Sequence, residues 1–356
     1  MKPHNFFAGP AILPNQVFEK SSKAILNFND TGLSILEISH RSPSFSAVME
    51  RSNLLVKELL NIPEGYEVLF LTGGASSQFY MTSMNLLNNE DKAGFVDTGT
   101  WSTKAIKEAK LFGNIELVAS SKDTGYTHIP EIDSVDPDLK FLHITTNNTI
   151  FGTQYQNMPE VAVPLIGDMS SDIFSRPLDI SKFDIIYAGA QKNLGPAGVT
   201  LVIVKTEILG KVNRDIPTML NYQTHVKKGS SFNTPPVFPI YTSMLSLEWL
   251  KENGGVVAAQ KRNLAKARAL YSAIDDSSLF HGPVEIKDRS LMNVVFKLKD
   301  ESLGDAFEEA AAAAQCVGIV GHRSVGGYRA SIYNAMTIES VQVLCGVISD
   351  FDAKHS

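Results

Sequence analysis

Three stretches of this chain carry side chains whose types and order can do chemistry together. Thr72-Gly73-Gly74-Ala75-Ser76-Ser77-Gln78 follows the apolar run Val68–Leu71 and reads as a strand turning into a helix. Backbone N–H groups behind two glycines make a cradle for a phosphate. Neither the Walker spacing nor the dinucleotide-binding spacing of glycines occurs there. Asp168 closes the apolar run from Val163 to Gly167. A carboxylate shielded in that way needs a metal, a cation or a protonated ring nitrogen beside it. Lys192 ends the next such run, after Ala188-Gly189-Ala190-Gln191, whose small residues let a flat ligand come close. Desolvation there lowers a lysine's pKa and makes its amine a nucleophile suited to Schiff-base chemistry. Singly, each feature has a plain structural reading: a tight turn, a helix-capping aspartate, a surface lysine.

Together in one α/β domain they are what pyridoxal phosphate requires. The phosphate would sit on a helix N-terminus, the carboxylate would keep the pyridine nitrogen protonated, and the lysine would hold the aldehyde carbon. Trp101, in Asp97-Thr98-Gly99-Thr100-Trp101, closes another strand end and supplies an aromatic face; Trp249 lies in helical sequence and reads as core. A second signal concerns anions. Of eight histidines, His40 and His322 are each followed by an arginine, Arg41 and Arg323, and Arg329 adds a third guanidinium close to the latter pair. Guanidinium forks fit carboxylate and phosphate, so these segments meeting at one cleft suit a ligand bearing both groups.

These side chains must be positioned by a scaffold, and the hydrophobic pattern supplies one. After a helical stretch around Phe45–Leu60, short apolar runs recur at Val68–Leu71, Gly94–Val96, Phe141–Ile144, Val163–Ile166, Ile185–Tyr187 and Thr200–Val204. Several are separated by stretches long enough for a helix, which predicts a mainly parallel sheet covered on both faces. Open sheets of this kind place ligands beyond the carboxyl ends of their strands, where the residues above fall. From about Met244 the text becomes long helical sequence with Leu264, Ala267 and Tyr271 on one face, then a strand over Asn293–Leu298. An alanine-rich helix around Asp305–Cys316, a Gly-rich turn and a helix capped by Thr337 complete the chain. The expected division is a large α/β domain over 15–260 and a smaller α+β domain over 261–356 that takes in the N-terminal segment 1–14.

Composition narrows the class further. The 356 residues are 44% hydrophobic, with Lys+Arg 32 against Asp+Glu 38 and a formal charge of −6, so clustered basic surface for nucleic acid is not expected. Cys316 and Cys345 both sit in apolar sequence that reads as helical, which predicts buried thiols in a reducing compartment and no zinc site. Proline and glycine interrupt MKPHNFFAGPAILP where a signal peptide would be apolar, and no membrane-length apolar run exists. A cytoplasmic enzyme without membrane or metal is the expectation.

Long collinear motifs then point to a family. Phe7-Ala8-Gly9-Pro10-Ala11, Glu37 to Arg41, Ser175-Arg176-Pro177-Leu178-Asp179, Tyr187 to Asn193, Phe232-Asn233-Thr234-Pro235-Pro236 and Gly321 to Asn334 run nearly end to end. On these the chain resembles the phosphoserine aminotransferases, a branch of the class V, fold-type-I pyridoxal-phosphate enzymes. The resemblance implies a mainly parallel seven-stranded-type sheet in the large domain. It implies Lys192 as the Schiff-base lysine, Asp168 as partner of the pyridine nitrogen, and Trp101 as the stacking ring. Ala75, Ser76, Thr149 and Gln191 would be further cofactor contacts. Asn233 and Thr234 would reach the cofactor phosphate from a neighbouring subunit, which implies a homodimer with shared active sites. By the same resemblance His40 and Arg41 of the neighbour, with His322 and Arg323, would hold the substrate's phosphate or distal carboxylate, and Arg329 its α-carboxylate.

The implied reaction is reversible amino transfer from L-glutamate to 3-phosphohydroxypyruvate, giving 2-oxoglutarate and O-phospho-L-serine for serine biosynthesis. Some members of the family also use 4-phosphohydroxy-L-threonine in vitamin B6 synthesis. Where some members carry an arginine, this chain has Ser76, so that anion contact is missing. Two other readings stand beside this one: another class V activity such as alanine–glyoxylate amino transfer, and a phosphate-ligand binding protein without covalent chemistry. The first leaves both His-Arg pairs unexplained.

Overall fold

Short segments rich in Val, Ile, Leu and Phe form the main sheet, and most are buried on both faces, as parallel strands under helices must be. The computed structural model describes residues 2–355. The chain opens with β1 (His4–Asn5), α1 (Asn15–Leu26) and α2 (Pro43–Leu60), then runs β2 (Tyr66–Leu71), α3 (Gly74–Leu86), β3 (Lys92–Asp97), α4 (Thr100–Ala109) and β4 (Asn114–Ser120). The strands β5 (Leu142–Thr145), β6 (Leu165–Asp168), β7 (Ile185–Gly189) and β8 (Thr200–Lys205) complete the sheet. Helices α5 (Tyr222–Lys227), α6 (Val237–Glu252) and α7 (Gly255–Asp275) lead to β9 (Phe280–His281), β10 (Asn293–Leu298), α8 (Gly304–Ala313), β11 (Cys316–Val317), β12 (Tyr328–Ser331) and α9 (Ile338–His355).

The seven-stranded sheet has the order β2-β8-β7-β6-β5-β3-β4. Only β8 is antiparallel to its neighbours, so β2, β3, β5, β6 and β7 all point their carboxyl ends at one edge. That edge collects Thr72, Asp97, Thr145, Asp168 and Gly189 at the strand ends. Helices α1, α2 and α6 cover one face through Val17, Phe45, Leu55 and Ile240, while α3 and α4 cover the other through Phe79, Met81, Ala105 and Ala109.

A separate core joins α7, β10, α8, β12 and α9 around Phe280, Phe296, Phe307 and Phe351. Phe6 is fully buried in it, although it comes from the other end of the chain. Burying that ring contributes about 2–3 kcal/mol and returns the N-terminal segment to this core. Helix α7 runs through position 260: Ala259 belongs to the first core and Ala267, Leu270 and Ile274 to the second.

Three expectations need correction. The strand β4 was not expected, because Asn114-Ile115-Glu116-Leu117-Val118-Ala119-Ser120 is an exposed sheet edge without the apolar run that marks buried strands. The alanine-rich helix ends at Ala313, after which Gln315 takes a left-handed conformation that no helix continues. Cys316 is therefore in a strand, paired with His4, while Cys345 lies in α9 as expected. Among the described residues no helix is long and apolar enough to cross a membrane.

Candidate active site

The carboxyl end of β6 delivers Asp168 at 5% exposure. Ser170, two residues on, holds one of its oxygens: the backbone N–H at 2.9 Å and the hydroxyl at 2.6 Å both donate to Oδ1. The same hydroxyl accepts from the Gly189 N–H at 3.1 Å, which ties the loop after β6 to the end of β7. No described side chain bonds Oδ2, so that oxygen is left for a ligand. Burial pushes the carboxyl's pKa up, while the Lys192 charge and the two Ser170 bonds pull it down.

The turn after β7 presents Lys192. Its Nζ donates to Thr149 Oγ1 at 2.7 Å and stands 5.3 Å from the centre of the Trp101 ring. Burial lowers its pKa to about 8; Asp168 and Asp172 oppose that shift, and Arg329 adds to it. An amine of that pKa gives and takes protons near neutral pH. The N-terminal segment packs over this turn: Ala11 N–H donates to Gln191 O at 2.9 Å, and a side chain on Gly9 would begin 3.3 Å from Lys192 Cγ and Gln191 O.

Asp97 at the end of β3 positions Trp101. Its carboxylate accepts from Ser102 Oγ at 2.8 Å, Thr103 Oγ1 at 3.0 Å and Tyr126 OH at 3.0 Å, so the first turn of α4 is fastened to the strand. The Trp101 Nε1 is buried and has no hydrogen-bond partner. From the second core, β12 brings Arg329, whose Nη1 approaches Thr149 O at 3.5 Å and whose buried Nε is also unpartnered. Asn193 Oδ1 accepts from Asn334 N–H at 2.9 Å, linking the lysine turn to the segment after β12.

The glycine loop enters α3 with Gly73 at φ 94°, and no side chain caps the helix. A Cβ on Gly73 would come 1.9 Å from Ser77 Oγ, so a side chain there would force Ser77 to shift. Ala75 is half-buried and Ser76 exposed in the first turn. Gly73 and Ser77 line a cavity of about 170 Å³ with Tyr80, His225 and Asn233. Asn233 and Thr234 are exposed, and Asn233 Nδ2 donates to Thr234 O at 3.2 Å. Among the described residues neither bonds Lys192 or Asp168.

His322 and Arg323 lie in the loop before β12, with His322 Nδ1 2.7 Å from Ser324 Oγ. Burial and the charges of Arg329, Arg323 and Lys104 hold the imidazole below its ordinary pKa. His40 is half-buried with an unpartnered Nε2, and Arg41 is exposed; the described residues place neither against Lys192. One chain thus joins Lys192, Thr149, Trp101 and Arg329 by direct contact, with Asp168 in the field of Lys192 and His322 in that of Arg329, while among the described residues His40, Arg41, Asn233 and Thr234 bond none of them. Ser170 and Asp97 escaped the sequence reading, although Asp-x-Ser after an apolar run was a usable signal for the first.

The sequence pattern described as aminotransferase class-V matches residues 4–344. A phosphoserine aminotransferase of Flavobacterium psychrophilum is 58% identical over 355 residues, which is 99% of this chain and 100% of that one. The structure superposes on a phosphoserine aminotransferase from Bacillus circulans subsp. alkalophilus with a TM-score of 0.97 at 44% identity, covering 100% of this chain and 99% of the other. A structure described as PLP-bound phosphoserine aminotransferase from Trichomonas vaginalis gives 0.93 at 33% identity, over 98% of this chain and 100% of that one.

Proposed function

We propose that this chain, which belongs to the class-V aminotransferase family, catalyses reversible amino transfer between L-glutamate and 3-phosphohydroxypyruvate, yielding 2-oxoglutarate and O-phospho-L-serine for serine biosynthesis. The observation that carries the reading is a lysine amine held between Thr149 and Trp101 in the field of a buried carboxylate. Full-length relatives of that activity at more than half identity support it.

The residues present fit pyridoxal phosphate. Asp168 keeps Oδ2 free for a protonated ring nitrogen, and the uncapped N-terminus of α3 with Ala75 and Ser76 suits a phosphate. Trp101 offers a ring face, and Thr149 and Gln191 flank the lysine. When bound, the cofactor supplies a carbonyl carbon for amines and a ring that accepts electrons. The chain's residues do the rest. Asp168 holds a positive N–H partner at Oδ2 through the whole reaction. Lys192 Nζ takes a proton from the substrate's α-carbon side and returns one, which its pKa of about 8 allows. Arg329 binds the α-carboxylate, and its unpartnered Nε is available for that bond. His322 and Arg323 bind the distal anion.

A homodimer completes the site in this reading. His40 and Arg41 would reach it from a second copy, as would Asn233 and Thr234. Large apolar side chains stand exposed beside both segments: Leu33 at 49% and Leu36 at 62% near His40, and Phe232 at 41% next to Asn233. Such exposure suits burial in an interface. The test is glutamate-dependent turnover of 3-phosphohydroxypyruvate by the holoenzyme, compared with glyoxylate. Preference for glyoxylate would overturn the assignment.

A further inference from the structure

Helix α4 starts at the catalytic edge of the sheet, and Lys104 lies one turn beyond Trp101. Its side chain is exposed, yet its Nζ rests 4.7 Å from the centre of the Trp101 ring. Lys192 Nζ is 5.3 Å from the same centre, so the two amines stand no farther apart than those distances together allow. Glu108 is placed four residues on in the same helix, where helical neighbours pair, but among the described residues no ion pair joins it to Lys104. Among the described residues Lys104 has no carboxylate partner and no hydrogen bond. Contacts continue from Trp101 through Lys192 and Thr149 to Arg329, so Lys104 belongs to the same cluster.

The cation–π contact holds this ammonium at the mouth of the cleft. Beside burial, its charge acts with those of Arg329 and Arg323 to hold the His322 imidazole below its ordinary pKa. Coulomb attraction scales with the ligand's charge, so each added cation favours a dianion over a monoanion. A phosphate monoester carries close to two charges at neutral pH, a side-chain carboxylate one.

We infer that Lys104 is a specificity-determining residue, whose ammonium selects substrates with a distal phosphate over those with a distal carboxylate. The inference rests on the amino-transfer reading given above. It also answers the absence of an arginine at Ser76: Lys104 supplies positive charge at the mouth of the cleft from a different helix.

The experiment compares holoenzyme with Lys104→Met, which keeps an apolar stem over the indole, and with Lys104→Arg. The amino-donor half-reactions of O-phospho-L-serine and L-glutamate are measured separately. Lys104→Met should lower kcat/KM about tenfold for O-phospho-L-serine and by less than about threefold for L-glutamate, with Lys104→Arg restoring the ratio. NMR titration of the His322 imidazole gives a second readout: its pKa should rise in Lys104→Met, since one of the cations holding it down is gone. Equal loss with both donors, or an unchanged ratio, overturns the inference while the reaction stands. A wild-type enzyme inactive with O-phospho-L-serine overturns the underlying reading and the inference with it.

Discussion

At the scale of the residue, the site depends on how protons are held in a half-dry cleft. A lysine at its ordinary pKa would be almost wholly charged at pH 8, whereas Lys192 at about 8 is half neutral there. Asp168 faces the opposite problem, because burial favours its protonated form. Ser170 opposes that with a short charge-assisted bond from its hydroxyl, of a kind that contributes about 1.5–3 kcal/mol. Ser170→Ala should therefore lower kcat by roughly one to two orders of magnitude. Ser170→Thr should recover most of it. An unchanged kcat in the alanine variant would show that the Lys192 charge and the backbone N–H keep Asp168 ionised without the hydroxyl.

At the scale of the element, each strand end hands its side chain to a short, fastened turn. Asp97 pins the start of α4, and Gly73 lets α3 begin directly behind β2. Its φ of 94° lies in the left-handed region, and a Cβ would also meet Ser77. Gly73→Ala should cost about 1–2 kcal/mol of stability and weaken retention of pyridoxal phosphate, measured by denaturant unfolding and by cofactor loss on dialysis. On the far side of the cleft, α7 fastens the segment after β12. Lys266 Nζ donates to Ile332 O at 2.8 Å and Tyr333 O at 2.6 Å, while Asn263 Nδ2 donates to Asn334 Oδ1 at 2.8 Å. Tyr333 OH then donates to Ala8 O at 2.7 Å, beside the segment that packs on Lys192.

At the scale of the whole molecule, two buried lysines set a pH dependence. Burial lowers Lys266 to about 7 and Lys192 to about 8, from an ordinary 10.5. Between those values and 10.5 the unfolded chain holds protons that the folded one has lost. Folding stability of the cofactor-free chain should therefore rise from pH 7 to pH 9, each lysine adding up to about 1.4 kcal/mol per pH unit. Above pH 10 the raised pKa values of buried Tyr187 and Tyr222 reverse the sign, because the unfolded chain then loses protons first. Chemical denaturation across this range should show the rise, and Lys266→Met should flatten it near pH 7–8. The proposed sharing of active sites between two copies makes a different prediction. Lys192→Ala and Arg41→Ala should each be inactive. Mixed, unfolded and refolded together, they should recover about a quarter of wild-type activity, since half of randomly paired dimers contain one intact site. No recovery would place Arg41 in its own chain's site.

Much of this was legible in the chain. Buried parallel strands are continuous apolar runs, so β2, β3, β5, β6, β7 and β8 announce themselves, and chemistry-bearing residues just past them mark the ligand edge. The edge strand β4 did not, since one exposed face removes the run, and Cys316 misled because local composition says little about a two-residue strand paired with His4. The sequence by itself therefore determined the fold class and the types of residue at the cleft. Only the tertiary structure decided which of them meet. Short-range pattern sets periodicity and turns, but the approach of Arg329 to Thr149, of Lys192 to Trp101 and of Gly9 to Lys192 depends on segments far apart in the chain being packed together.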